Sequence, residues 1–263
     1  MLKWIKTLPG RWYYKFLKSI YSRKSSLVIE YQDTDFKFDT STRQSNSWFL
    51  PRYRGGKLHE PEISKFLIQE IEKDDVFYDV GAHVGYYSVL AAQKCTNGKV
   101  YSFEIDPALI ESIKNHISLN NFENVKIVNS AVSDKTGKMI SFAPENEGEL
   151  STNAIKNQGD VLVQTLALRD FIKQFDKPNF IKIDVEGNEK SVLEGLFRNK
   201  VEKLNKMLVE IHPDQLSKQD KKDIEDLILE KDFQVKIIDH REGKGVENRI
   251  SNLEKNSMVY CWR

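Results

Sequence analysis

The sequence predicts one doubly wound α/β domain on a mainly parallel sheet of seven strands, the last of them antiparallel. Three observations predict it. From residue 61 onward, short apolar runs rich in Val, Ile, Phe and Tyr alternate with runs of helical periodicity. A glycine turn, Gly81-Ala82-His83-Val84-Gly85, joins the first of these strands to the helix after it. The final two strands, Phe233 to Ile238 and Met258 to Trp262, have no helix between them, so the last should run antiparallel.

Residues 27–40 alternate apolar and polar side chains and read as a small hairpin, whereas 41–60, rich in Ser, Arg and Gly, read as loop. Pro61 opens a helix with Ile63, Phe66, Leu67 and Ile71 at helical spacing. Strands follow at Val76 to Val80, Lys99 to Ile105, Val125 to Ser130, Phe180 to Val185 and Met207 to Ile211. Helices are expected over Tyr86 to Gln93, Ala108 to Asn120, Glu189 to Leu196 and Lys218 to Glu230. The polar stretch Ser141 to Asp160 interrupts the alternation and reads as a long loop or irregular hairpin. The organisation expected is an N-terminal extension with its hairpin over 1–57 and the α/β domain over 58–263.

Composition narrows the function. Forty Lys and Arg against 39 Asp and Glu give a net charge of +1, which argues against general nucleic-acid coating. Two cysteines, Cys95 and Cys261, are too few for a disulfide framework or a thiolate zinc site, so a cytoplasmic setting is expected. No run approaches the roughly 18–20 apolar residues of a membrane span. Residues 1–26 carry seven basic residues before any acidic one, interleaved with aromatics; Trp12, Phe16 and Ile20 share a helical face. Such a segment either packs on its own domain or lies on the inner face of an anionic membrane.

In open α/β sheets, ligands bind beyond the carboxyl ends of the strands. The first strand ends in Asp79-Val80-Gly81, where a carboxylate suits a cationic amine, Gly81 allows close approach, and Gly85 lets the helix sit tight on the strand. A dinucleotide fingerprint needs a third glycine that this turn lacks. The second strand ends in Glu104-Ile105-Asp106-Pro107, and an acidic residue there accepts hydrogen bonds from both ribose hydroxyls. A ribose on Glu104 with an amino-acid tail near Asp79 and Gly81 describes S-adenosylmethionine.

Asp79 to Gly85, Phe103 to Pro107, Asn129 to Asp134 and the run Ile181-Lys182-Ile183-Asp184-Val185-Glu186-Gly187-Asn188-Glu189 closely resemble the FkbM family of methyltransferases, and Val209-Glu210-Ile211-His212 fits its next strand. The resemblance covers roughly residues 58 to 262. It implies the Rossmann-like class I methyltransferase fold and O-methylation, often of sugars or natural products. It also implies that Asn129, Ser130 and Ala131 lie beside the adenine. One position departs from the pattern: the residue after Ala82 is usually Asn and here is His83. The expected cofactor set is thus Asp79, Gly81, Ala82, His83, Gly85, Glu104, Ile105, Asn129, Ser130, Ala131 and Asp184.

Methyl transfer needs an acceptor aligned with the sulfonium methyl and a base for its proton. Side chains two apart on a strand share a face, which groups Lys182, Asp184 and Glu186, and likewise Glu210 and His212. Asp184 is expected to contact the acceptor, with Glu186, Glu210 or His212 as base. The same carboxylates could hold Mg²⁺, but the motif does not demand a metal and none is assigned. The acceptor expected is a small molecule or glycan, with anionic and lipid-linked sugars included because Arg52, Arg54, His240, Arg241, Lys244 and Arg249 are basic. The competing readings are a nucleic-acid or protein acceptor and a non-catalytic S-adenosylmethionine-binding module.

Overall fold

A computed structural model of the 263-residue chain describes residues 25–52, 56–142, 161–198, 201–238 and 249–263. The basic N-terminal helix expected around Trp12 and the loop carrying His240, Arg241 and Lys244 lie outside the described residues, as does Arg54. Among the described residues, no helix is long and apolar enough to cross a membrane.

The chain opens with a hairpin, β1 (Ser26–Tyr31) and β2 (Thr34–Asp39), closed at Gln32 and Asp33 with φ of 48° and 59°. Left-handed conformation at both turn residues matches the twist of the paired strands. The hairpin buries Ile29, Phe36 and Phe38 completely.

Helix α1 (Arg43–Arg52) follows, where the sequence reads as loop. Its composition is a poor helix signal, so packing must hold it: Trp48 and Phe49 are buried, with Phe49 4.6 Å from the Phe38 ring. Helix α2 (Pro61–Glu70) then precedes the sheet.

The central sheet has the order β11-β12-β10-β9-β3-β4-β5. Its strands are β3 (Val76–Val80), β4 (Lys99–Glu104), β5 (Val125–Asn129), β9 (Phe180–Ile183), β10 (Lys206–Ile211), β11 (Gln234–Ile238) and β12 (Ser257–Trp262). All neighbours pair in parallel except β12, which lies antiparallel between β10 and β11. The seven strands and the antiparallel last one are as the sequence predicts. The chain builds outward from β3 to β5 and then returns to β9 on the other side of β3, so the switch point falls between β3 and β9.

Helices α3 (Tyr86–Lys94), α4 (Pro107–Asn120), α6 (Glu189–Phe197) and α7 (Lys218–Leu229) cover the sheet. The period-2 alternation of the central strands feeds two cores. Tyr78, Val80, Ile181, Ile183, Met207 and Val209 face one side, and Phe77, Phe180 and Leu208 face the other.

A second, three-stranded sheet was not legible in the sequence. It pairs β6 (Ala131–Val132), β8 (Val161–Leu166) and β7 (Met139–Phe142) in the order β6-β8-β7, and a short helix α5 (Leu168–Phe171) follows. Ser141 and Phe142, expected in a long loop or irregular hairpin, lie in β7, which pairs antiparallel with β8. Most of that stretch, 143–160, is outside the described residues.

Candidate active site

A cavity of about 370 Å³ opens over the carboxyl ends of β4, β3, β9 and β10. Gly81 is what lets β3 and β9 close there: at φ 81°, a Cβ on it would stand 1.8 Å from the carbonyl oxygen of Asp184. Three residues on the cavity wall, Glu60, His83 and Glu186, hold left-handed φ of 39°, 52° and 52° without being glycine. Backbone strain of that kind persists where surrounding structure enforces it, and it gathers at functional sites. It also accounts for the departure at His83: a left-handed position suits Asn best, and His is among the other side chains that tolerate it.

At the β4 end, Glu104 is 5% exposed and its two oxygens accept the backbone N–H groups of His83 at 2.6 Å and Asp106 at 2.8 Å. Burial pushes its carboxyl up to about 7, against the pull of those two donors. Each oxygen keeps a lone pair for a further donor. Ile105, Leu109, Ala131 and Phe142 give this end an apolar wall. A hydroxylated ribose with a flat base fits such a wall. Ser130 and Val132 complete it, with the Ser130 hydroxyl donating to the Gln164 carbonyl.

At the β9 and β10 end, charge is concentrated. Asp79 on β3 stands directly opposite Lys182 on β9 in the parallel register. Lys182 is 1% exposed; its Nζ lies 3.0 Å from Asp184 and 4.7 Å from the centre of the Tyr87 ring. Burial opposes its charge, but Asp184, Asp79 and Glu210 together outweigh that and hold its pKa above the ordinary lysine value. Asp184 is a quarter exposed, and Lys182 and His212 keep its carboxyl below the usual range. Glu210 goes the other way: burial and the charges of Asp184 and Glu60 push it well up.

His212, just past β10, is the hub. Its Nε2 lies 3.1 Å from Glu186, 3.7 Å from Glu210 and 3.8 Å from Asp184, and its Nδ1 donates to Glu189 at 2.8 Å. Burial works against an imidazolium, but Glu189, Asp184 and Glu186 raise its pKa above the ordinary value. Glu186 is pushed up to about 7 by burial, with His212 pulling it down.

The expected catalytic residues Asp184, Glu186, Glu210 and His212 thus meet at one end of the cavity. Strand alternation does not carry Glu186 there, because β9 stops at Ile183. Its left-handed backbone turns it in instead. Of the expected cofactor residues, Gly81, Ala82, His83, Glu104, Ile105, Ser130, Ala131 and Asp184 line the cavity. Asp79, Gly85 and Asn129 do not. Asp79 is fully buried and accepts from the Ser88 hydroxyl at 2.6 Å. Gly85 packs under Ile113, and Asn129 donates to the carbonyls of Glu104 and Ile105.

Sequence reading missed Glu189 as His212's partner, although it closes the Asp184 to Glu189 motif. It also missed Trp48, His59 and Glu60, which line the cavity from a segment read as loop. Asp184, Glu210 and His212 each offer a ligand atom within 4.8 Å of the others, a set able to take a cation.

Residues 79–235 match the methyltransferase FkbM domain. The chain is similar to the hexuronic acid methyltransferase AglP of Haloferax volcanii, at 28% identity over 72% of this chain and 74% of the relative. It is also similar to the methyltransferase sdnD of Sordaria araneosa, at 22% identity over 54% of this chain and 68% of that one. Among solved structures, a SAM-dependent O-methyltransferase from Thermotoga maritima aligns with TM-score 0.47 and 10% identity, covering 94% of this chain and 80% of the other.

Proposed function

The chain belongs to the FkbM methyltransferase family and takes S-adenosylmethionine as methyl donor, and from that premise we propose that it methylates a hydroxyl oxygen of a sugar or glycan. The observation that carries this reading is the meeting of Asp184, Glu186, Glu210 and His212 at the β9 and β10 end of the cavity. With parallel strands about 4.8 Å apart, the tips of β4 and β9 are separated by roughly 10 Å. One cavity therefore spans from a ribose on Glu104 to a reacting centre beside Asp184. In this arrangement, the backbone around Gly81 and Ala82 receives the amino-acid tail, and Ile105 and Ala131 flank the adenine. When bound, S-adenosylmethionine supplies a methyl group already activated by the sulfonium charge.

The protein's tasks are alignment and proton removal. Asp184, held ionised by Lys182, accepts the acceptor hydroxyl's hydrogen bond and orients its oxygen. Glu186 is the base: its side chain is 37% exposed to the cavity, and a carboxyl near 7 is matched to neutral pH. As the new C–O bond forms, the hydroxyl proton passes to a Glu186 oxygen, while His212, whose protonated form the surrounding carboxylates favour, stays paired with Glu186 at 3.1 Å. Glu210 is disfavoured as base, because burial and its acidic neighbours favour its protonated form.

A hydroxyl acceptor fits better than a carboxylate one. A carboxylate is already ionised and needs no base, and the surrounding acidic groups would repel it. The similarity to AglP favours a sugar over a small natural product. Incubating the full chain with methyl-labelled donor and a glycoside panel tests the proposal. The label should be incorporated and should survive mild alkali, as a methyl ether does. Alkali-labile label would mean a methyl ester and remove the hydroxyl reading.

A further inference from the structure

Three cavity-lining side chains, Trp48, His59 and Glu60, come from a segment upstream of the residues that match the family domain. We infer that they form the acceptor subsite and take an uncharged sugar ring, its C–H face against Trp48 and His59 and a hydroxyl donating to Glu60. The inference rests on the methyltransferase reading of the cavity and adds which part of the chain selects the acceptor.

The aromatic side of the subsite is closely packed. The Trp48 ring centre lies 4.9 Å from His59, 5.7 Å from Tyr86 and 5.9 Å from His83. The His59 backbone is pinned as well: its N–H donates to the Tyr86 hydroxyl at 3.0 Å and its carbonyl accepts from the Ser64 hydroxyl. Trp48 is 9% exposed and His59 about a quarter, so together they offer the cavity a small, already ordered apolar patch, which suits the C–H face of a pyranose.

Glu60 supplies the polar side. It stands at the N-cap of α2 in a left-handed conformation, φ 39° and ψ 69°, and makes no side-chain capping bond. Its carboxylate instead accepts the Tyr87 hydroxyl at 2.7 Å and faces the cavity, a quarter exposed. Strained backbone and a forgone cap both cost stability at this residue. Its charge reaches Asp184 and Glu210, so it shares the space where the acceptor must sit. Among the described residues, Lys182 and His212 carry positive charge at that end, and both are engaged by carboxylates. A ring carrying hydroxyl donors is welcome there, and one carrying a carboxylate is not.

Binding of methyl glucoside, methyl galactoside, methyl mannoside and methyl glucuronoside to the full chain saturated with S-adenosylhomocysteine tests this, read by saturation-transfer NMR and calorimetry. At least one neutral glycoside should bind, and the glucuronoside more weakly. Glu60→Gln should weaken the neutral sugar by about tenfold, the loss for one hydrogen bond to a charged group. His59→Ala should also weaken it, and S-adenosylhomocysteine affinity should hold in both variants, which reports that they are folded. Tighter binding of the glucuronoside, or unchanged sugar affinity in both variants, overturns the inference while leaving hydroxyl methylation standing. Loss of S-adenosylhomocysteine affinity in folded Glu60→Gln overturns it by assigning Glu60 to the cofactor. Failure of every glycoside to bind or be methylated removes the sugar reading along with it.

Discussion

The Nδ1 of His212 lies 2.8 Å from a carboxylate oxygen of Glu189, and that same oxygen accepts the Gly187 backbone N–H at 2.9 Å. Glu189 is fully buried at the start of α6, so one side chain ties the end of β10 to the turn that presents Glu186. The imidazole orientation and tautomer follow from this contact, since a carboxylate can only accept. Glu189 is thus a positioning residue.

Glu189→Gln should slow methyl transfer by about tenfold or more, with a smaller effect on acceptor KM. Glu189 raises the His212 pKa, so its loss should move the basic limb of the rate profile to lower pH. A raised folded-state pKa means that His212 contributes stability below its unfolded value of 6.5, fading as pH rises through the folded value. The variant should therefore lose most stability on the acid side, measured as urea midpoints across pH. A uniform loss at every pH, with an unmoved rate profile, would reduce Glu189 to simple packing.

Glu104 leads to a second pH dependence. Its carboxyl is pushed up to about 7, and ribose hydroxyls donate best to the ionised form. Donor affinity should rise about tenfold between roughly pH 6 and pH 8. Between pH 4.5 and about 7 this group also makes the cofactor-free protein less stable as pH rises, because the folded state binds the extra proton. Glu104→Ala should cost about 1.5–3 kcal/mol of donor binding and flatten the profile. It also strands the N–H groups of His83 and Asp106, so the comparison with Glu104→Gln separates turn support from ribose contact. Calorimetry at several pH values measures both.

Two glycines of one turn should respond differently to alanine. At Gly81 the new Cβ would meet the Asp184 carbonyl at 1.8 Å, which forces β3 and β9 apart at the cavity floor. At Gly85 it would meet Cγ1 of the buried, β-branched Ile113 at 2.9 Å, a side chain that must repack but is not sheet backbone. Gly85→Ala should cost the left-handed penalty of about 1–2 kcal/mol plus a similar amount, about 1–3 kcal/mol, for repacking Ile113, and keep donor binding. Gly81→Ala should abolish donor binding even in whatever fraction folds. Equal urea midpoints and equal affinities would refute the account of this turn.

These positions also show what the sequence could carry. The sheet was legible because each strand is a short apolar run whose register follows from period-2 burial, and Gly81 and Glu104 are strand-tip residues whose location follows directly. The α1 helix was not legible, because its residues are helical only by virtue of Trp48 and Phe49 docking against Phe38 and Tyr86, contacts far apart in the chain. The β6-β8-β7 sheet was hidden for a similar reason: β6 has only two residues and pairs with a strand about thirty residues later. Asp79 shows the opposite failure. A carboxylate at a strand tip suggested a ligand contact, but the register sets it against Lys182 beneath the cavity. Sequence spacing assigns a side chain to a face, not to a depth.

The last prediction concerns the cation at the acidic end. Asp184, Glu210 and His212 have the spacing to share a divalent ion. Two features argue that Lys182 and the His212 proton fill that need. The Lys182 ammonium already sits 3.0 Å from Asp184 with 1% exposure, and the carboxylates around His212 favour imidazolium, which has no lone pair for a metal. Exhaustive EDTA treatment should therefore leave turnover intact. Lys182→Met should instead be severe, costing about 3–5 kcal/mol, because it leaves the buried Asp79 and the half-buried Asp184 without their counter-charge. The loss should be largest near neutral pH and partly relieved on acidification, as protonated carboxylates no longer need a cation. Turnover that EDTA abolishes and Mg²⁺ restores would reverse the assignment and make Asp184, Glu210 and His212 metal ligands.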